Sequence, residues 1–151
     1  MRRLHLLLFA LVALLFASCS SDDDYIEEVE IVGDYTYGMF VLNEGNFNAG
    51  NTEISFIDDM FTGVTNNIYR LANEGDVLGD TAQSITFYED YAFVVVNNSH
   101  KIVVVDRHNF TFIDVIEEGI DNPRHMTVVD GYGYVTNWGD PFDESDDYVA
   151  V

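Results

Sequence analysis

The chain repeats itself, and this limits its fold more than any single motif does. Residues 83–94, QSITFYEDYAFV, align with residues 124–135, RHMTVVDGYGYV, 41 positions later. The polar pair Glu89-Asp90 falls on Asp130-Gly131, and Tyr91 and Val94 fall on Tyr132 and Val135. A period of about 40–50 residues with several short strands per unit belongs to stacked units, none of which can bury its apolar face alone. One unit reads as four strands, 84–88, 91–97, 101–106 and 110–116, separated by compact polar turns. Val94-Val95-Val96 and Ile102-Val103-Val104-Val105 are unbroken apolar runs, which suit strands covered on both faces. No segment after the N-terminal 18 residues carries a 3.6-residue apolar stripe.

Residues 40–58, FVLNEGNFNAGNTEISFID, are an earlier copy of the second and third strands. Phe40-Val41 matches Phe93-Val94 and Tyr134-Val135, Ile54 to Asp58 matches Ile102 to Asp106, and Tyr148 to Val151 starts a third copy. The expected fold class is therefore all-β, a β-propeller of four-stranded antiparallel blades. Ring closure takes about four to eight blades, and this chain has material for fewer than three. The expected organisation is a signal peptide at 1–18, a lipidated acidic tether at 19–35, and the N-terminal blades of a truncated propeller at 36–151. A first strand can begin within the tether, ahead of Gly33-Asp34.

Arg2 and Arg3 precede an apolar run from Leu4 to Ala17 broken only by His5. The run is shorter than the roughly 20 residues a membrane helix needs and has the layout of a secretory signal. Phe16-Ala17-Ser18-Cys19 resembles a bacterial lipobox, with Phe16 where leucine is usual, and makes Cys19 the expected lipidation site. Ser20-Ser21-Asp22-Asp23-Asp24 resembles the acidic tag that sends lipoproteins to the outer face of the outer membrane; otherwise it is a solvated tether. Cys19 is the sole cysteine, so a disulfide-stapled scaffold is excluded. Beyond the signal, four basic residues face 27 acidic ones, a net charge near −23. Such a surface repels phosphate backbones and excludes nucleic acid as a partner.

In a four-stranded blade, the loop between strands two and three shares a rim with the connection to the next blade. That rim is expected to gather the loop 43–51, Asn97 to His100, the segment from Asn137 through Phe142 with the acids behind it, and the connections 70–83 and 119–125. Loops longer than hairpin closure requires are commonly functional. The candidate ligand-binding residues are Asn43, Glu44, Asn46, Phe47, Asn97, Asn98, Arg124, Asn137, Trp138 and Asp140. Their amides and aromatic rings suit an uncharged or cationic polar ligand with flat surfaces. For Gly45-Asn46 and Asn97-Asn98 the competing reading is a plain turn, and for Trp138 it is packing between blades. His100 and His125 read as structural, and no metal site is assigned. Asp140, Asp143, Glu144, Asp146 and Asp147 lack the spacing of a calcium loop and read as a solvated loop, with a weak extracellular Ca2+ site as the alternative. No G-x-S-x-G, no H-E-x-x-H and no nucleophilic cysteine is present, so no catalytic residue is assigned.

The lipobox with its acidic tag, FVLNEGNFNAGNTEISFID, and the repeats YAFVVVNN and YGYVTNW resemble the YncE-like seven-bladed propeller lipoproteins of gut bacteria. Within that group the pattern is similar to BtuG-like surface proteins. The resemblance covers residues 19–151 and implies a surface-facing outer-membrane lipoprotein. It further implies a rim that captures a cobamide, the vitamin B12 class, for a TonB-dependent transporter, with no cofactor of its own. A protein-interaction scaffold is the alternative, and an extracytoplasmic propeller enzyme the third reading.

Overall fold

A computed structural model describes residues 34–143 and 145–151. Cys19, the expected signal and all of the tether up to residue 33 lie outside the described residues. The elements in chain order are β1 (Gly38–Asn43), β2 (Glu53–Asp58), β3 (Val64–Thr65), α1 (Ile68–Ala72), β4 (Ala82–Tyr88), β5 (Tyr91–Val96), β6 (Lys101–Asp106), β7 (Phe112–Ile116), β8 (Pro123–Val129), β9 (Tyr132–Asn137) and β10 (Tyr148–Ala150). They form three sheets, β1-β2-β3, β4-β5-β6-β7 and β8-β9-β10, and every pairing is antiparallel. Among the described residues the fold is all-β, one four-stranded sheet and two three-stranded ones, compatible with the expected incomplete propeller.

The 41-residue spacing survives down to backbone detail. Tyr88 pairs with Tyr91 as Val129 pairs with Tyr132, and the register slips between Ala82 and Ser84 as it does between Pro123 and His125. Thr81 and Asn122 both adopt left-handed backbone, as do Glu89 and Asp130 in the matching turns. First strands lie side by side: Ser84 Oγ donates to the Arg124 carbonyl at 3.0 Å, and Thr86 Oγ1 to the Met126 carbonyl at 2.6 Å.

Because side chains alternate along a strand, each unbroken apolar run of the middle blade faces two neighbours. Val94, Val96, Val103 and Val105 join Ile54, Phe56 and Phe110 in the core shared with the first blade. Val95 and Ile102 face the third blade and meet Val135, with Phe93 and Met126 beside them. The first of these cores is aromatic. Phe110 is fully buried, with its ring 4.9 Å from Phe40 and 5.9 Å from Tyr35, and Phe40 lies 5.1 Å from Phe56. Gly38 leaves this cluster room, because a Cβ there would strike the Phe56 ring and the Ile57 carbonyl.

Two features depart from the sequence expectation. The connection from the first blade to the second contains α1, a single helical stretch too short to leave an apolar period. That connection also does not stay on one rim: Asn73, just past α1, donates to the Phe110 carbonyl and accepts from the Phe112 N–H at the opposite end of the middle blade. At the start of the described residues, 34–37 form turns and bends, and the Tyr35 N–H donates to the His108 carbonyl of the middle blade at 2.9 Å.

Candidate functional site

The ends of β1, β5 and β9 and the starts of β2, β6 and β10 define one rim. The loop 44–52 stands on it, longer than the four-residue loop 97–100 of the middle blade. Its shape is fixed from within and from the next blade. Asn51 Oδ1 accepts the Asn46 N–H at 2.8 Å, and Thr52 Oγ1 donates to the Glu44 carbonyl at 2.6 Å. Gly45, at φ 79°, allows that fold, since a Cβ there would lie 2.5 Å from Asn51 Oδ1. From the middle blade, Gln83 donates to Glu44 Oε1 at 2.6 Å, Asn98 to Asn48 Oδ1 at 3.0 Å, and Asp80 Oδ2 accepts the Gly50 N–H at 3.1 Å. The result leaves Phe47 at the tip, 70% exposed.

Asp80 was not singled out from the sequence, yet it holds the loop. Its other oxygen accepts the Thr81 hydroxyl at 2.6 Å. The hydroxyl bond first, and the Gly50 amide with it, pull its pKa below the ordinary aspartate value. The repeat carried the signal for this: 41 residues on stands Asp121, whose carboxylate lies 2.6 Å from His100 Nδ1 in the corresponding loop of the middle blade. The middle and third blades thus each reach back through an aspartate to the loop of the blade before.

Glu53, at the start of β2, was likewise unassigned. It is buried, and Arg70 Nε stands 3.2 Å from Oε1. Burial raises its pKa against the opposing pull of the Ile54 and Arg70 amides and the Arg70 charge. It ties α1 to the rim end of the first blade.

The candidate residues divide by what their side chains already do. Asn43 Nδ2 donates to Ser55 Oγ at 3.0 Å. Asn97 is buried and donates to the Pro123 carbonyl, joining the middle and third blades. Asn137 is buried, accepting from the Asp121 N–H and donating to the Val135 carbonyl. The Glu44 and Asn98 side chains anchor the long loop, and Asn46 takes part in it through its backbone. Asp140 accepts from the Phe142 N–H, and its own N–H donates to Asp146 Oδ2 at 2.8 Å.

Trp138 and Arg124 stand apart from these. Trp138 occupies the place of Asn97 in the repeat: its N–H donates to the Asn122 carbonyl as the Asn97 N–H donates to Thr81. The Arg124 guanidinium lies over the indole, 4.7 Å from its centroid. Together with Asp147, Tyr148, Thr136 and Val149 they line a cleft of about 430 Å3. Thr136 and Val149 alternate with Val135 and Ala150, which pack toward the middle blade, so the cleft opens on the far face of the third blade at the rim.

Among the described residues, no three Asp, Glu, His or Cys side chains converge to hold a metal ion. In the acidic segment Asp143 accepts from the Ser145 hydroxyl and amide, which lower its pKa, while Glu144 lies outside the described residues.

Residues 37–141 match a family described as Domain of unknown function (DUF5074). The chain belongs to the DUF5074 family. A search of curated proteins gives no match. The matched span ends just before Phe142, so the long loop, the aspartate latches, Arg124 and Trp138 all lie within the DUF5074 domain.

Proposed function

We propose that this DUF5074 chain is a surface capture protein. In this reading Cys19 carries the lipid, the acidic tether leads away from the outer membrane, and the rim binds a cobamide for hand-over to a TonB-dependent transporter. The observation that carries the proposal is the long loop. Five hydrogen bonds among loop, neighbouring blade and the residues between them hold Phe47 out in solvent. An exposed aromatic on a pinned loop is a preorganised stacking surface, and preorganisation removes part of the entropy cost of binding. Trp138 offers a second flat surface on the same rim. The choice of a cobamide rests on the resemblance to YncE-like and BtuG-like lipoproteins.

The test is calorimetric titration of the full-length chain with cobalamin. Saturable binding is expected, weakened about fivefold in Phe47→Ala by loss of one aromatic contact worth about 1 kcal/mol. Absence of binding to any corrinoid would remove the ligand assignment, and unchanged affinity in Phe47→Ala would remove the loop from it. A protein-interaction scaffold is the second reading, favoured by Phe142, which is 95% exposed on the same rim. Recovery of a protein partner on immobilised chain, unaffected by excess corrinoid, would support it.

A further inference from the structure

We propose that Arg124, stacked on Trp138, reads a single negative charge on a flat ligand. The inference rests on the rim being a ligand site, and adds the charge that the ligand carries. The rim residues taken from the sequence suggested a neutral or cationic ligand, and the overall charge of −21 points the same way. The local geometry argues otherwise. Charges farther than about 8 Å are largely screened at physiological ionic strength, so the nearest ionised groups decide.

Arg70 is committed to Glu53, and Arg107 donates to the Glu89 carbonyl and lies over Phe87. Arg124 enters none of the ion pairs among the described residues. Among the described residues its guanidinium is spent on the indole face. A stacked guanidinium keeps its N–H edge available in the plane, which matches the oxygens of a carboxylate or phosphodiester. The indole beside it supplies area for a flat group, and the cleft of about 430 Å3 is large enough for one ring with its substituent. Asp147 lines the same cleft. A carboxylate there opposes a second negative charge, so a monoanion is favoured over a dianionic phosphate monoester. A phosphodiester, the group that joins the two halves of a cobamide's nucleotide loop, has that charge.

The chain contains one tryptophan, so indole fluorescence reports on this cleft alone. The full-length chain is titrated with benzoate, benzamide and benzamidinium, which share size and planarity but carry charges of opposite sign or none. Methyl phenyl phosphate tests the phosphodiester. Benzoate and methyl phenyl phosphate are expected to bind roughly tenfold more tightly than benzamide, as suits one charge-assisted contact, with benzamidinium weakest. Arg124→Gln should bring benzoate and benzamide to equal Kd, and Arg124→Lys should keep part of the preference. A purely structural role for Arg124 would leave the benzoate-to-benzamide ratio unmoved. Equal binding of benzoate and benzamide by the wild-type chain, or tighter binding of benzamidinium, would overturn the proposal. That wild-type comparison decides the matter even if a variant misfolds. Cobalamin binding without charge discrimination would defeat this inference alone; charge discrimination without cobalamin binding would defeat the cobamide assignment alone.

Discussion

Phe110→Ala should cost about 4 kcal/mol of stability. Phe110 is fully buried where the first and middle blades meet, its ring against Phe40 and Tyr35. Truncating a buried phenylalanine typically costs about 3–5 kcal/mol, because the transfer energy is lost and the cavity collapses only in part. The backbone adds a second, independent handle. Phe110 has φ 60°, a conformation that costs an L side chain roughly 1–2 kcal/mol. It is held there by its N–H bond to the Asp106 carbonyl at 2.8 Å and by Asn73 Nδ2 on its own carbonyl at 2.9 Å. Phenylalanine and alanine both bear that cost, whereas glycine does not. Phe110→Gly should therefore be more stable than Phe110→Ala by about 1 kcal/mol, the reverse of the usual order. Urea unfolding followed by far-UV circular dichroism measures both; with a slope of about 2 kcal/mol per molar, the alanine variant's midpoint falls by about 2 M. Phe61→Ala, at an aromatic 73% exposed, is the control and should shift it little. A loss under about 1 kcal/mol for Phe110→Ala would refute the claim that this aromatic cluster carries the fold, and a glycine variant weaker than the alanine one would refute the backbone argument.

Two carboxylates give predictions with opposite pH signs. Asp80 has a lowered pKa, so its latch on Gly50 is fully present above the unfolded aspartate value and is lost only as pH falls through the lower folded value. Amide exchange at Gly50 should stay slow until pH drops below the ordinary aspartate range, while Asp80→Asn should exchange fast throughout; wild-type exchange that accelerates already at the ordinary value would contradict this. Glu53 has a raised pKa, so its contribution is present below the unfolded glutamate value and fades as pH rises through the folded one. The wild-type chain should lose stability relative to Glu53→Gln over that window, measured by urea midpoints at several pH values, and parallel curves would contradict the burial argument.

What could be read in advance was whatever recurs locally. The four strands of the middle blade follow from β-branched runs and polar turns, and the 41-residue alignment carried over even the register slip near Ser84 and His125. What could not be read depends on where distant groups meet. Nothing adjacent to Glu53 foretells that Arg70 will pair with it, and α1 is too short to leave a periodic trace. Asn97 and Asn137 look alike as rim amides in the sequence. The fold turns both inward to satisfy backbone groups between strands and blades, while Phe47 and Trp138 stay at the surface. Polarity alone does not separate an amide that closes a gap between blades from one that greets a ligand.

The two blade contacts are unequal, and the inequality bears on the Trp138 cleft. The first and middle blades share a wide aromatic core, whereas the middle and third share Val95, Ile102 and Val135 as their buried set. Glycine helps explain the difference. Gly133 stands where the middle blade has Ala92, and Met126 folds into the space a side chain would have filled. The third blade is therefore held in larger part by directional bonds: Ser84 and Thr86 to β8 carbonyls, Asn97 to Pro123, and the Asp121 latch on His100. Bonds of this kind contribute about 1 kcal/mol each, so this blade is the part expected to open first. Arg124 and Trp138 both belong to it or follow directly from its strands. A ligand held in their cleft stabilises the closed blade by an amount that grows with the logarithm of its free concentration over Kd. Protection of the β8 and β9 amides against exchange should then rise with the benzoate titration while that of β5 and β6 does not. A uniform rise across all three blades would mean instead that the chain opens as one unit.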